Sequence, residues 1–120
     1  MVIVDTSIWV DFFKNGNEAL VDLLNSGLVV THEFVIEELI LGGMKNREEH
    51  YHLLCLLKCY QKVSHIEVID FIHNNIASRY SIGLVDSYLL STALIDGLKI
   101  YSADKNLVRA AKKLDVCHSV

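Results

Sequence analysis

Proline is absent from the 120-residue chain. No low-complexity tract or internal repeat marks a linker in its place, so no domain boundary is visible. Residues 1–120 are expected to form a single domain. Long apolar runs are missing as well. None approaches the ~20 residues of a membrane span. The opening Met1-Val2-Ile3-Val4-Asp5 has no positive region and meets an acid after three apolar residues, unlike a signal peptide. These absences point to a cytoplasmic protein with no membrane partner. Cysteine is scarce and odd in number, three without CxxC spacing, which argues against a disulfide framework. Cys55 and Cys59 lie one helical turn apart and Cys117 near the end; all three read as reduced thiols. His52, Cys55 and Cys59 lack a fourth local ligand for zinc.

Basic charge is in deficit. Eleven Lys and Arg face fifteen Asp and Glu, a net charge of −4, and such a balance by itself argues against a nucleic-acid partner. The total conceals a distribution. If four acids serve a metal ion, eleven of each sign remain. The last helical region then stands out as basic, with Lys99, Lys105, Arg109, Lys112 and Lys113. It suits a phosphate-contacting face, and equally a solvated helix face.

What the chain has in quantity is apolar side chains, 52% of the total, enough for a sizeable core. Val2-Ile3-Val4 and Leu28-Val29-Val30-Thr31 are short apolar runs suited to strands buried on both faces. Leu98-Lys99-Ile100-Tyr101 reads as another strand, Tyr60–Ser64 as a short one, and Val116–Val120 as an edge strand. Between them the spacing becomes helical. Ile8, Trp9, Phe12 and Phe13 form one helix that ends at Asn15-Gly16. Asn17 can cap a second, holding Leu20, Leu23 and Leu24, with Gly27 as its stop. A third covers about Phe34 to Leu41. It is apolar almost all round, which predicts burial. Asn46 with Glu49 resembles the cap of a fourth, containing Leu53, Leu54, Leu56 and Leu57. Ser64-x-x-Glu67 is a capping box before a helix with Val68, Ile69, Phe71, Ile72 and Ile76. Val85–Asp96, stopped by Gly97, and a last helix with Leu107, Val108, Ala110, Ala111 and Leu114 complete the pattern. Strands alternating with helices predict an α/β domain with a mainly parallel sheet.

In such sheets sites form outside the carboxyl ends of the strands. Asp5 follows the first strand directly, and Asp104 follows the Leu98–Tyr101 strand by three residues, so both acids emerge on one edge. Each alone also fits a helix N-cap. Asp86 opens its helix, where the helix dipole favours a carboxylate, among Leu84, Val85, Leu89, Leu90 and Ala93. Glu37 and Glu38 sit inside the apolar third helix, and periodicity leaves open which faces inward. Convergent carboxylates without convergent His or Cys suit a hard cation, Mg²⁺ or Mn²⁺. Such sites serve phosphoryl transfer and phosphodiester hydrolysis.

Four segments taken in order carry a resemblance: Val2-Ile3-Val4-Asp5-Thr6-Ser7-Ile8-Trp9, Val35-Ile36-Glu37-Glu38-Leu39-Ile40-Leu41-Gly42, Gly83-Leu84-Val85-Asp86-Ser87-Tyr88-Leu89-Leu90, and Tyr101-Ser102-Ala103-Asp104-Lys105, with Asp104 eighteen positions after Asp86. The chain resembles PIN-domain nucleases over essentially its whole length, and more narrowly the VapC-type toxins of prokaryotic toxin–antitoxin pairs. The resemblance maps the family's acids onto Asp5, Glu38, Asp86 and Asp104. Glu38 is preferred to Glu37 because the family glutamate precedes a leucine-like residue and lies four before a glycine, here Gly42. Thr6 and Ser7 fall where members place hydroxyls beside the first acid, and Ser102 keeps the hydroxyl two before the last. The chain departs from close relatives at Tyr101-Ser102, where tryptophan and threonine are frequent, and at Ser81, where glycine is common. Neither departure removes a metal ligand.

The resemblance implies a PIN-like fold and a central parallel sheet flanked by helices. It implies Mg²⁺- or Mn²⁺-dependent endoribonuclease activity, by metal-assisted attack of water on the phosphodiester. It also implies a cognate antitoxin, promoter DNA bound only through the toxin–antitoxin complex, and a homodimer. The high apolar content around Leu53-Leu54 and Phe71-Ile72 points to a dimer independently. Lys105, Arg109 and Lys112 are candidates for RNA phosphate contact. The six histidines, His32, His50, His52, His65, His73 and His118, lie outside the motifs and read as surface or core residues. A stand-alone PIN nuclease is the alternative within the family. A receiver-like signalling domain would need paired acids on its first loop and a central strand ending in Asp, and neither is present. A non-catalytic interaction module is disfavoured by retention of all four carboxylates.

Overall fold

The computed structural model describes residues 1–75 and 81–119. Four strands, β1 (Val2–Val4), β2 (Val29–His32), β3 (Cys59–Tyr60) and β4 (Lys99–Tyr101), form one sheet in the order β3-β2-β1-β4. All three pairings are parallel, with Ile3 opposite both Val30 and Ile100, and Thr31 opposite Cys59. The two central strands are buried along their whole length, because helices cover both faces of a parallel sheet. This is the physical reason for the unbroken apolar runs.

The helices are α1 (Thr6–Asn15), α2 (Glu18–Asn25), α3 (Glu33–Leu41), α4 (Arg47–Cys55), α5 (His65–Asn75), α6 (Leu84–Asp96) and α7 (Lys105–Lys113). Local chemistry sets most of their ends. The Asn17 side chain accepts from Leu20 N at 3.0 Å to open α2. Ser64 and Glu67 satisfy each other's backbone amides at 3.0 and 3.1 Å to open α5, a reciprocal capping box. Gly97 closes α6 in the left-handed conformation, φ 67°, its amide donating to Ala93 O, where a side chain would strain the backbone. The core gathers Ile3, Trp9, Leu20, Val30, Leu39, Leu89, Leu90, Ile100 and Leu107 around the sheet. Among the described residues no helix is long and apolar enough to cross a membrane.

Several expectations need correction. Asn46 sits at the start of α4 but in the left-handed region, φ 53°, and its side chain makes no cap hydrogen bond. The helix ends at Cys55, leaving Leu56 and Leu57 beyond it. The strand expected over Tyr60–Ser64 is Cys59–Tyr60, since the Ser64 amide is committed to the capping box. The expected edge strand is reduced to one parallel bridge between Ile100 and Cys117; Val120, like Ile76, lies outside the described residues. The third helix is not buried all round. Only Val35 and Leu39 are buried, while Leu41 is fully at the surface, because α3 covers the sheet with a single stripe.

The strand order sets the location of the site. From β1 the chain moves to β2 and β3 on one side, and β4 then returns to the other side of β1. The connections leaving the carboxyl ends of β1 and β4 therefore diverge, and a crevice opens between them.

Candidate metal centre and active site

Asp5 stands at that crevice. It is buried, and its amide donates to Tyr101 O at 2.9 Å, extending the β1–β4 ladder by one bond. Although Asp5 precedes α1, its side chain does not cap the helix. Two hydroxyls hold it instead: Ser7 Oγ and Ser102 Oγ each donate to Asp5 Oδ2 at 2.8 Å. The same hydroxyls accept from the backbone after β4, Ser7 Oγ from Ala103 N across the crevice at 3.1 Å and Ser102 Oγ from Asp104 N within its own loop at 3.0 Å. Each serine thus spends its one proton on the carboxylate and a lone pair on an amide. The result is a closed ring of hydrogen bonds that ties the end of β1 to the end of β4 and aims Asp5 into the crevice.

Asp104 plays the N-cap role that Asp5 does not. Its Oδ1 accepts from Asn106 N at 2.9 Å and Leu107 N at 3.2 Å. The residue is exposed, and these bonds use one oxygen of the carboxylate. Asp86 lies in the first turn of α6 and is half-buried. No hydrogen bond to its carboxylate is found among the described residues. Burial and the nearby charges of Asp5, Asp104 and Glu38, in that order, push its carboxyl from 3.8 up to about 7. Three of the four sequence-selected acids thus act electrostatically on the fourth.

Glu38 is exposed on α3 and accepts from Thr6 Oγ1 at 2.8 Å, which joins α3 to the start of α1. Glu37 faces elsewhere; its charge acts on the Cys59 thiol. The arrangement of the two glutamates follows from helix geometry, since neighbouring residues point about 100° apart. Lys105, Arg109 and Lys112 occupy the exposed face of α7, whose other face buries Leu107, Ala110 and Ala111. That basic face starts one residue after Asp104.

The donor set fits a hard divalent cation: four carboxylates, with no histidine or cysteine among them. Asp86 supplies the structural test. A half-buried carboxylate facing three like charges is unfavourable when ionised, and a cation is the partner that relieves it. Among the described residues, no three His, Cys, Asp or Glu side chains stand close enough to enclose an ion unaided. Thr6 holds Glu38, and the α7 amides hold Asp104, at the rim. Asp5 is buried and Asp86 half-buried, whereas Glu38 and Asp104 are exposed.

The sequence model of the PIN domain matches residues 2–113. The chain belongs to the PIN-domain family. It is 35% identical over 117 residues to ribonuclease VapC32 of Mycobacterium tuberculosis, in strains CDC 1551/Oshkosh and H37Rv, covering 97% of this chain and 94% of that protein. In three dimensions it is similar to the crystal structure of PAE2754 from Pyrobaculum aerophilum, with a TM-score of 0.62 over 92% of this chain and 79% of the other at 12% identity. At that identity the likeness shows the fold alone.

Two features of this PIN domain escaped the sequence. His32, buried at the end of β2, caps α3 by accepting from Phe34 N at 3.1 Å through Nδ1. Burial lowers its pKa against the opposing charge of Glu33, so the neutral, cap-competent imidazole is the favoured form. Histidine ranks outside the usual capping residues, which left no signal to read. Ser81, the departure noted at a common glycine position, has φ 51°. Glycine adopts that conformation without strain.

Proposed function

We propose that this protein is a Mg²⁺- or Mn²⁺-dependent endoribonuclease and the toxin of a VapC-type pair. The observation that carries the reading is the Asp5 ring at the β1–β4 crevice, where Ser7 and Ser102 fix a buried carboxylate against an Asp86 that Asp5 itself, Asp104 and Glu38 oppose. Asp5 and Asp86 would hold the ion directly, with Glu38 and Asp104 contributing directly or through water. When bound, such an ion lowers the pKa of water and offsets charge developing on phosphodiester oxygens. The chain's own part is positional. Ser7 and Ser102 donate to Asp5 and keep its second oxygen free for the site. Thr6 orients Glu38. The exposed bases of α7, Lys105, Arg109 and Lys112, steer and hold the RNA backbone by charge.

The 35% identity to ribonuclease VapC32 supports RNA as substrate and a VapC-type toxin with a cognate antitoxin as partner. Promoter DNA, engaged only through the toxin–antitoxin complex, is part of the same proposal. Asp5→Asn removes a charge and almost no volume. It should abolish RNA cleavage while leaving the circular dichroism spectrum and Tm close to the parent's. Cleavage that persists in Asp5→Asn, or in EDTA, would overturn the assignment. Co-expression with the product of the neighbouring reading frame tests the pairing, and recovery of the toxin alone would refute that partner.

A further inference from the structure

Beside the acidic crevice runs a cleft of about 670 Å³, within the size range of small-molecule sites. Thr6 and Glu38 line it, so the cleft is continuous with the carboxylates. Phe13 and His50 line it as well, and their half-buried rings are stacked at 3.8 Å between centroids and 10° between planes. Lys14 and Lys45, both exposed, complete its charged lining; Glu38 at the shared edge is the acid among the residues that form it. The chain between α3 and α4 enters the cleft as Gly42-Gly43. Gly43 holds φ +68°, and a Cβ there would meet nothing within 4 Å, so bare backbone and open space adjoin the aromatic pair.

Val10, Leu39 and Met44 make the rest of the wall apolar; an imidazole ring, two cations and unshielded backbone beside a phosphodiester-directed site suit one nucleotide, its base against the apolar wall. Bases stack on aromatic faces, and lysines hold the flanking phosphates. Phe13 is stacked on His50 and also on Trp9, at 5.6 Å and 25°, so the ring left for a base is His50. We propose that this cleft binds the RNA nucleotide next to the cleaved phosphodiester, with the base against the face of His50 turned away from Phe13 and the backbone near Lys14 and Lys45. The seat rests on the ribonuclease reading for its place in catalysis. It predicts that the enzyme takes single-stranded or looped RNA, whose bases are free to unstack, and that the cleft sets the nucleotide preference on one side of the cut.

The test uses full-length protein carrying Asp5→Asn, in Mg²⁺, with a fluorescein-labelled single-stranded RNA ten-mer. Against that background His50→Ala should weaken binding by about tenfold, in line with the loss of one stacked base. His50→Phe, which keeps an aromatic face and the stack on Phe13, should bind close to the parent. Lys14→Ala and Lys45→Ala, at exposed positions that spare the core, should each flatten the dependence of log Kd on log salt by roughly 0.7. In the parent with Asp5 intact, sequencing of cut sites in a random RNA pool should show a preference at one neighbouring nucleotide that His50→Ala relaxes. Unchanged binding and unchanged cut-site preference in folded His50→Ala, Lys14→Ala and Lys45→Ala proteins would overturn the seat, as would an antitoxin-derived peptide that binds there while RNA binding ignores all three substitutions. A parent protein that cuts no RNA, yet binds it in a His50- and lysine-dependent way, would refute the nuclease assignment and leave the seat standing.

Discussion

At the scale of single residues, the acids of the crevice are distinguished by what holds them. Asp5 is buried and gripped by two hydroxyls, Asp104 caps a helix, Glu38 is tethered by Thr6, and Asp86 lacks a hydrogen-bond partner among the described residues. Ser102 is the member whose loss is most instructive, because it touches both Asp5 and the Asp104 amide. Ser102→Ala should lower the affinity for Mn²⁺ by about 10–100-fold, the usual range for a group that orients a ligand. Ser102→Thr should restore it, since the hydroxyl returns. Calorimetric titration of the three proteins with Mn²⁺ decides the matter, and equal affinities would remove Ser102 from the site. Strand-end acids were legible in the sequence because a parallel sheet brings successive carboxyl ends to one edge. The grip on each acid was not legible, because it depends on which loops meet across ninety-odd residues, as Ser7 and Ser102 do.

The elements explain why some faces could be read and others could not. The α7 pattern separates cleanly into buried Leu107, Ala110 and Ala111 and an exposed basic face, since its polar and apolar residues alternate at helical spacing. In α3 that contrast is missing. Apolar residues occupy nearly every position, and the sequence predicted a buried helix, yet the helix presents Glu37, Glu38 and Leu41 to solvent. Periodicity ranks faces only when they differ in polarity. The distinction between the two glutamates came from the family resemblance; of the two, Glu38 accepts from the Thr6 hydroxyl, and cleavage assays of both variants test its role. Glu38→Gln should reduce the rate of RNA cleavage by at least tenfold, with Glu37→Gln within about twofold of the parent, as transition-state charge stabilisation outweighs changes at a remote surface position. The reverse order of effects in single-turnover assays would reassign the glutamate.

For the whole molecule, the sheet, its parallel pairing and most helix boundaries follow from apolar runs and capping residues. Asn17, Ser64 with Glu67, and Gly97 act as the sequence indicates. Of the residues read as a dimer face, Leu54 and Phe71 are buried in the protomer, while Leu53 and Ile72 are half-buried and pack against its core. Leu41, Leu56, Ile66 and Leu84 are more open, at 86, 83, 79 and 66% exposed. We propose a homodimer that covers exposed apolar side chains of this kind, and Ile66→Glu with Leu84→Glu should weaken it. Light scattering that reports a monomer for the parent at tens of micromolar, a typical transient affinity range, would refute it.

The linkage between protons, metal and folding gives the most discriminating test of the acidic crevice. Asp86 ionises at about 7 in the folded chain against 3.8 for an ordinary aspartate. Between those values the folded state binds more protons than the unfolded state. Stability of the metal-free protein must then fall as pH rises from about 4 to about 7, and level off above. The loss is roughly 2 kcal/mol once solvent screening of a half-buried group is allowed for, or several degrees in Tm for a domain of this size. Two histidines act in the opposite direction. Burial lowers the pKa of His32 and of His118, so their contribution is present above the ordinary histidine range and lost as pH falls below it. Comparison with Asp86→Asn separates the two effects, because the histidines are common to both proteins. In EDTA, Asp86→Asn should melt several degrees above the parent at pH 7.5 and near it at pH 4.5. A divalent ion binds the deprotonated carboxylate and competes with the proton. Added Mg²⁺ or Mn²⁺ should therefore raise the parent's Tm, with a smaller rise at pH 5.5 than at pH 7.5, and should leave Asp86→Asn nearly unmoved. Scanning calorimetry across pH 4.5–8 provides the measurement. Equal melting of parent and variant at pH 7.5 without metal, together with equal shifts on adding Mn²⁺, would show that Asp86 neither carries the electrostatic strain nor holds the ion.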